Sequence, residues 1–305
     1  MDKKTPYFNQ IKLLVQILPL LNNHSCFALK GGTAINLFYR DMPRLSVDID
    51  LVYIPIGERE PSLIDISGNL SKLGTSIKSN IKGSTVQYLK LKHTSHINKL
   101  IVTVENAVVK VEVSPVLRGT VYEPKLMKIS NAVEEVFGFA QVKIVSFEDL
   151  FAGKIVAALD RQHPRDLFDI KLLFEQERVT NRLKEAFIVY LISHNRKIIE
   201  ILNPSQLNLK KAYTSSFEGM SNIDVDLQDL IKTRTALIER VNSLLDNRDR
   251  EFLIKFKEGI PDWTYFSVPH IKELPAVKWK IMNLNKVKRD KKRQMISKLV
   301  NIFGM

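Results

Sequence analysis

The sequence predicts an α+β fold, with a mixed sheet in the N-terminal part followed by a mainly helical C-terminal part. Short runs that are rich in β-branched and aromatic residues, or that alternate polar and apolar residues, lie between residues 26 and 113. From about residue 146 onward, apolar residues recur instead at helical spacing. We therefore expect a domain boundary within residues 120–145 and divide the chain into 1–130 and 131–305.

The first elements lead to an unusual glycine pair. Ile11, Leu14 and Leu18 recur at helical spacing and predict an amphipathic helix. A signal peptide is the alternative for this segment, because Lys3 and Lys4 precede the apolar residues, but Gln16 interrupts the apolar run and no small-residue cleavage site follows. SCFALK then predicts a buried strand, and GGTAINLFYR predicts a turn that runs into a helix.

The remaining elements follow the same reasoning. RLSVDIDLVY alternates along its length and predicts a half-buried strand, and residues 62–80 predict a helix. TVQYLKLKH, INKLIVTVEN and AVVKVEVSP predict three more strands. A helix is expected from Ser146 until Pro164 breaks it, and further helices are expected near 181–202 and 225–258.

Composition limits the class of protein. The 305 residues include 46 Lys and Arg against 33 Asp and Glu, a net charge of +13 that favours polyanionic partners such as nucleotides or nucleic acid. No stretch approaches the roughly 18 apolar residues of a membrane span. Cys26 is the single cysteine, which excludes an intramolecular disulfide. A cytoplasmic protein without membrane association is predicted.

The glycine pair and a pair of aspartates carry the chemical prediction. Gly31 and Gly32 at the start of a helix let backbone N–H groups approach an anion such as phosphate, to which Thr33 can add a hydroxyl. Asp48 and Asp50 point the same way from one strand, so they need a cation, and Mg²⁺ is the typical ion for such oxygen ligands.

A glutamate on a later strand supplies a third carboxylate. Glu112 in Val111-Glu112-Val113 faces away from the apolar side of its strand, as the two aspartates do. Three acids on neighbouring strands could hold Mg²⁺ ions that activate a hydroxyl and stabilise a leaving pyrophosphate. The combination indicates a metal–nucleotide site.

Four stretches of the sequence match motifs of a known family. The first two are Gly31-Gly32-Thr33 and Arg44-x-Ser46-x-Asp48-Ile49-Asp50-Leu51. The third joins Lys154-x-x-Ala157-x-x-x-Arg161 to Arg165-Asp166-Leu167-Phe168-Asp169, and the fourth is Leu274-Pro275-Ala276-x-x-Trp279-Lys280-x-x-Asn283-Leu284. Together they resemble the AbiEii/AbiGii toxin family of the DNA polymerase β-like nucleotidyltransferase superfamily. The resemblance spans residues 30–284.

The resemblance implies a toxin of a bacterial toxin–antitoxin pair, linked to abortive phage infection, that transfers a nucleotidyl group from an NTP with Mg²⁺. Relatives in the MenT group modify the acceptor end of tRNA, so an RNA acceptor is expected, with a cognate antitoxin as a possible partner. Its N-terminal domain would have the polymerase β-like fold, and the helical domain would complete the active site.

Carried over by position, the resemblance also implies roles for individual residues. The expected metal ligands are Asp48, Asp50 and Glu112, and the expected catalytic residues are Asp48, Asp50, Lys154 and Asp166. Nucleotide contacts are expected from Gly31, Gly32, Thr33, Ser46, Lys154, Arg161, Arg165 and Asp169. Either Asp166 or Asp169 would be the last acid of the family.

Several alternatives stay open at this level. The acceptor could be a protein or a small molecule such as an aminoglycoside, or the chain could be a nucleotide-binding or partner-binding module without turnover. Lys154 and Arg161 could simply form ion pairs with Asp166 and Asp169 between helices. NKVKRDKKRQMISK, residues 285–298, could grip a phosphate backbone or form a solvated terminal helix.

Overall fold

A computed structural model describes residues 6–304. Residues 1–5, which include the lysines of the signal-peptide alternative, and residue 305 lie outside the described part. The chain divides into two compact units. The first comprises Met1–Ser146 with Met220–Ile223, and the second comprises Phe147–Gly219 with Asp224–Met305.

A mixed sheet of seven strands forms the centre of the first unit, as predicted. The strands are β1 (Phe27–Lys30), β2 (Asp48–Tyr53), β3 (Thr85–Lys90), β4 (Ile97–Val104), β5 (Ala107–Val113), β6 (Lys125–Lys128) and β7 (Gln141–Ile144). Their order is β3-β4-β5-β2-β1-β7-β6. The β1–β7 and β2–β5 pairs are parallel, and the other four pairs are antiparallel.

Helices cover this sheet and supply much of its core. They are α1 (Pro6–Ile17), α2 (Gly31–Ala34), α3 (Arg59–Asn80) and α4 (Asn131–Phe137), with a 3₁₀ turn at Leu18–Asn23 and a π-helical turn at Ile35–Tyr39 that continues α2. Helix α3 packs on β3 and β4, and α1 packs on β5. The buried faces carry side chains such as Leu14, Leu70 and Leu73 at helical spacing.

Two features of the first unit differ from the sequence-based expectation. The strand expected to begin at Arg44 begins at Asp48, and Arg44 instead forms an isolated bridge with Ser221. The unit also extends beyond residue 130 to Ser146, because the short strands β6 and β7 pair with each other and β7 pairs with β1.

The second unit is helical. Its helices are α5 (Phe147–Arg161), α6 (Pro164–Gln176), α7 (Asn181–Ser193), α8 (Ile198–Leu202), α9 (Lys210–Ser216), α10 (Leu227–Leu244), α11 (Asn247–Glu258), α12 (Pro275–Asn285) and α13 (Arg289–Phe303), with 3₁₀ turns at Trp263–Tyr265 and Pro269–Glu273. Pro164 ends the first of them as expected, and the His163 side chain caps α6 by accepting from the Arg165 N–H.

A buried lysine of the last sequence motif holds the end of helix α7. The Lys280 ammonium donates to the carbonyl oxygens of His194 at 2.5 Å, Arg196 at 2.8 Å and Asn195 at 3.2 Å. Burial lowers the pKa of Lys280, and the contact places a cation at the negative end of the helix dipole. Lys280 therefore stabilises the α7–α8 turn.

Candidate active site

The two glycines after β1 create the close approach on which the site depends. Gly31 has φ +76, a conformation that strains other residues, and a Cβ there would lie 2.6 Å from Oδ2 of Asp50. A Cβ on Gly32 would lie 2.8 Å from Oγ of Ser46. The turn thus touches both the aspartate strand and the residues that precede it.

Thr33 ties this glycine turn to strand β2. Its buried hydroxyl donates to the backbone carbonyl of Asp48 and lies 3.1 Å from Oγ of Ser46. A hydroxyl has a single hydrogen to donate, so the Thr33 hydrogen is engaged inside the protein. This geometry favours Thr33 as a positioning residue, and its predicted contact with a phosphate stays a prediction.

A buried arginine that sequence reasoning did not place in the site lies beside the same turn. Arg44 donates from Nη1 to the Leu45 carbonyl at 2.8 Å, and its Nη2 would lie 2.9 Å from a Cβ on Gly32. A guanidinium is permanently charged and matches phosphate oxygens in shape. Arg44 therefore adds positive charge to the glycine turn, and its place in the quoted motif was the signal that could have indicated it.

The three predicted acids lie on one face of neighbouring strands. Asp48 and Asp50 are two residues apart on β2, and Asp50 is the register partner of Glu112 on β5. Residues in register on adjacent strands project to the same face. The structure therefore brings Gly31, Asp48, Asp50 and Glu112 together within the first unit.

Three lysines compensate these acids, and none of them was predicted. Lys110 lies between two carboxylates, with Nζ 3.4 Å from Oδ2 of Asp48 and 3.5 Å from Oε2 of Glu112. Lys99 on β4 lies 3.2 Å from the same Glu112 oxygen, and Lys30 is the register partner of Asp50. Three cations and three carboxylates thus share one face of the sheet, although the two acids Asp50 and Glu112 are paired in register.

The pKa directions follow from burial and this charge arrangement. Burial raises the pKa of Asp50, Lys30 offsets part of the rise, and the negative charge of Asp48 adds to it. Burial lowers the pKa of Lys30, which Asp50 and Glu112 oppose. Burial alone would lower the pKa of Lys110, but the attraction of the three acids raises it above its usual value.

The three carboxylates are oxygen ligands of the kind that a hard divalent cation prefers. Among residues 6–304, no three His, Cys, Asp or Glu side chains are arranged to hold a metal ion as they stand. The Lys110 ammonium supplies the counter-charge that Asp48 and Glu112 require. Carboxylates from two strands are the oxygen ligands that Mg²⁺ takes, so a bound ion would replace the lysine as the neutralising cation.

A second predicted cluster lies in the helical unit, on α5 and α6. Nζ of Lys154 lies 2.8 Å from Oδ1 of Asp166 and 2.9 Å from Oδ2 of Asp169, and all three side chains are buried. Arg161 adds two further bonds to Asp166, at 2.6 Å from Nε and 3.0 Å from Nη2. The ion-pair alternative is therefore the arrangement observed.

The electrostatics of this cluster strongly favour a charged Asp166. Burial, the largest single influence, raises the pKa of Asp166, but Lys154 and Arg161 together outweigh it and hold that pKa well below its usual range. Arg161 keeps 62% of its side chain exposed, and the half-buried Arg165 side chain forms no ion pair within residues 6–304. Both arginines could still present N–H groups to an anion.

Comparison with known families identifies the class of protein. A sequence model of the family described as nucleotidyl transferase AbiEii toxin, type IV toxin–antitoxin system, matches residues 12–283. This match covers most of the chain, so the protein belongs to the AbiEii family, is a nucleotidyltransferase and is a toxin of a type IV system. The predicted family and enzyme class are confirmed.

A solved structure supports the fold. MenT4, a nucleotidyltransferase toxin from Mycobacterium tuberculosis H37Rv, aligns with a TM-score of 0.61 at 13% identity over 93% of this chain and 95% of that one. A tRNA-processing enzyme in its apo form aligns over 97% of both chains at 11% identity, but its TM-score of 0.22 carries no weight. No curated protein matches this chain. The predicted α+β class is confirmed.

Within residues 6–304, no helix is both long and apolar enough to cross a membrane.

Proposed function

We propose that this toxin transfers a nucleotidyl group from an NTP to an RNA acceptor, with the 3′ end of tRNA as the preferred target. The main support is the contact of the glycine turn with Asp50, together with the register that pairs Asp50 with Glu112. That arrangement brings the glycine turn next to three carboxylates. A polyphosphate and a divalent cation require these two features side by side.

Different residues of the first unit bind the triphosphate, bind the metal ion and position the strand. Backbone N–H groups of Gly31 and Gly32, with the Arg44 guanidinium, bind the triphosphate. Asp48, Asp50 and Glu112 would hold Mg²⁺, which would offset the charge of the phosphates and favour departure of pyrophosphate. Thr33 keeps strand β2 against the turn through its bond to the Asp48 carbonyl.

The reaction is a substitution at phosphorus. An RNA hydroxyl oxygen bonds to the α-phosphorus, the bond from that phosphorus to the bridging oxygen breaks, and pyrophosphate leaves with the electron pair. The hydroxyl proton is lost to a neighbouring carboxylate or to water. The chain contributes mainly by orienting the triphosphate for this in-line attack.

The lysines of the sheet face have a role in the same proposal. Lys30, Lys99 and Lys110 offset the repulsion among the three carboxylates before the substrate binds, since unpaired carboxylates at this spacing repel each other. The acids thereby remain charged and ready to bind the ion. If Asp48 and Glu112 held Mg²⁺, the Lys110 ammonium would be free to contact phosphate oxygens instead.

The acceptor is tested by incubating the protein with α-labelled NTPs, Mg²⁺ and three candidate acceptors: total tRNA, total protein extract and an aminoglycoside. We expect label in the RNA fraction only, with release of one pyrophosphate for each nucleotide added. Label confined to protein or to the drug would contradict the RNA acceptor. NTP binding without pyrophosphate release would contradict turnover altogether.

The physiological proposal is growth inhibition that a cognate antitoxin relieves, with phage defence as its setting. Its support is the family, a type IV toxin–antitoxin system. Induction in a bacterial host should arrest growth, and expression of the neighbouring antitoxin gene should restore it. Phage plating on cells that carry both genes tests the defence role, and unchanged plaque counts would contradict that role.

A further inference from the structure

The positive charge of the chain is concentrated near its C-terminal end. Residues 272–298 carry ten of the 46 basic residues and two of the 33 acidic residues, which is +8 of the net +13. These residues form the last part of a 3₁₀ turn, helix α12 and most of helix α13. A small part of the second unit therefore produces most of the electrostatic attraction for a polyanion.

Most exposed cations of this region lack an acidic partner within residues 6–304, although Lys278 pairs with Glu273 at 2.6 Å. Six exposed side chains form no ion pair with any carboxylate of residues 6–304: Lys286, Lys288, Arg289, Lys291, Arg293 and Lys298. Other surface lysines of the same unit are paired, as in Lys255 with Glu251 at 2.9 Å and Lys197 with Glu200 at 2.5 Å. These unpaired charges, on α13 and in the turn that precedes it, are available to an external anion.

Helix α13 presents these charges from a fixed position. Leu299 and Phe303 are buried, and Arg250 of α11 donates to the Phe303 carbonyl at 3.0 Å. Lys292 donates to the Glu258 carbonyl at 3.1 Å. With this side of the helix packed on α11, the exposed cations lie along the solvent side at spacings such as 289/293 and 291/298.

An exposed tryptophan lies on the preceding helix. Trp279 of α12 keeps 47% of its surface exposed, and Met282 one turn further on keeps 49%. Lys286 follows at the next turn on the same helical face. A large aromatic side chain that stays in solvent among cations is unusual for a solubilising surface but typical of proteins that stack nucleic-acid bases.

We propose that α12 and α13 form the docking surface for the acceptor RNA, with the α13 cations on consecutive phosphates and Trp279 stacked on an unpaired base. This inference rests on the proposed function, because it names where the RNA acceptor of that reaction binds. An acidic protein would satisfy the cations equally well, but it would leave the exposed indole without a planar partner.

Matched sets of substitutions test the docking surface. The test variant is K288Q/R289Q/K291Q/R293Q, and its control is K72Q/K82Q/K210Q/K211Q, which removes four other exposed lysines that form no ion pair within residues 6–304. Trp279→Ala and Trp279→Phe form a second pair. Circular dichroism at increasing temperature checks that each variant folds. If the test variant does not fold, the comparison of Trp279→Ala with Trp279→Phe tests the docking surface instead.

Binding of total tRNA is measured by fluorescence anisotropy between about 50 and 200 mM salt, together with the KM for tRNA in transfer. The test variant should bind at least about tenfold more weakly, and its slope of log Kd against log salt should fall by about 3, since each lost phosphate contact removes roughly 0.7 to 0.9. Trp279→Ala should weaken binding roughly 5- to 100-fold, and Trp279→Phe should restore most of it. The control set should change neither slope nor KM by a comparable amount.

The outcomes separate the two proposals. If the wild-type protein modifies RNA and the test variant has the KM and salt slope of the control, the docking surface is wrong while the proposed function stands. If no RNA is modified but tRNA binding still depends on this surface, the proposed function fails and the docking surface stands. Polyglutamate that binds as tightly as tRNA, without any effect of Trp279→Ala, would indicate an acidic protein partner and overturn the RNA assignment.

Discussion

Replacing Asp166 by Asn tests whether the buried cluster on α5 and α6 stabilises the helical unit. The Asp166 carboxylate accepts bonds from Lys154 at 2.8 Å and from two nitrogens of Arg161 at 2.6 and 3.0 Å. Breaking a buried ion pair by removing one partner typically costs about 3–5 kcal/mol, since the remaining charge stays buried. Asparagine keeps the shape of the side chain but removes its charge.

The lower end of that range applies here. Arg161 is largely exposed, so it regains hydration when its partner is neutralised, and Lys154 retains the Asp169 carboxylate at 2.9 Å. We therefore expect a loss of about 3 kcal/mol. For a unit of this size, this loss corresponds to a fall in Tm of roughly 6–12 °C, measured by calorimetry or circular dichroism.

The control is an exposed ion pair on the same helix. Glu175→Gln removes the partner of Lys171, an i,i+4 pair in which Glu175 is half exposed. Such pairs contribute roughly 0.3–0.5 kcal/mol, so the Tm should change by about 1 °C. An Asp166→Asn protein that melts within about 1 °C of the wild type would refute the stabilising role of the cluster.

The stability of the wild-type protein and that of Asp166→Asn should depend differently on pH. The pKa of Asp166 is depressed in the folded state, so its contribution is fully present above the unfolded value of about 3.9 and is lost as pH falls below it. The wild-type protein should therefore lose stability faster than Asp166→Asn as pH falls from about 5 to 3. A constant difference in Tm over that interval would contradict the shifted pKa.

Three further predictions concern other parts of the molecule. Gly31→Ala should lower stability by at least about 1–2 kcal/mol and abolish transfer, because it adds both backbone strain and a clash, whereas Gly83→Ala, with φ +75 and no neighbour within 4 Å, adds the strain alone and should leave transfer intact. Lys110→Met should make the protein less stable without Mg²⁺ and increase the Tm gain that Mg²⁺ produces; an equal gain in both proteins would contradict the compensating role of the lysine. Lys280→Met should cost roughly 2–4 kcal/mol in urea unfolding, since it removes the buried ammonium that donates to three carbonyls at the end of α7, while the exposed Lys278→Met should cost less than about 1 kcal/mol, and equal costs would contradict the stabilising role of Lys280.

The sequence predicted the part of the site that local spacing determines. Gly31 beside a strand end and the alternation of Asp48 and Asp50 are properties of a few adjacent residues, so their faces follow from the periodicity of a strand. Glu112 required one more inference, that its strand neighbours β2. The register of Asp50 with Glu112 supplies this pairing.

The compensating charges could not be predicted, because they depend on which strands pair. Lys30, Lys99 and Lys110 come from three strands, and only the order β4-β5-β2-β1 brings them to one face. Lys110 and Glu112 share a face of β5, which was the one local signal available. Strand order is a tertiary property that no local window contains.

The short strands at the β7–β6 edge of the sheet were also missed, for a related reason. β6 and β7 have four residues each, and their polar and charged residues produce no apolar run of the length expected for a strand. Their pairing with each other and with β1 stabilises them. Conversely, Arg44 to Val47 alternate like a strand but lie outside β2, because Arg44 is buried against the glycine turn.

The central claim, that the acids beside the glycine turn perform nucleotidyl transfer, is tested most directly by single-turnover transfer from α-labelled NTP to total tRNA with Mg²⁺. The comparison is Asp48→Asn against Asp41→Asn, an exposed acid of the same unit that precedes the strand. We predict that Asp48→Asn slows transfer by at least about 100-fold while Asp41→Asn keeps the wild-type rate. Transfer at the wild-type rate by a folded Asp48→Asn protein would contradict the assignment of this site.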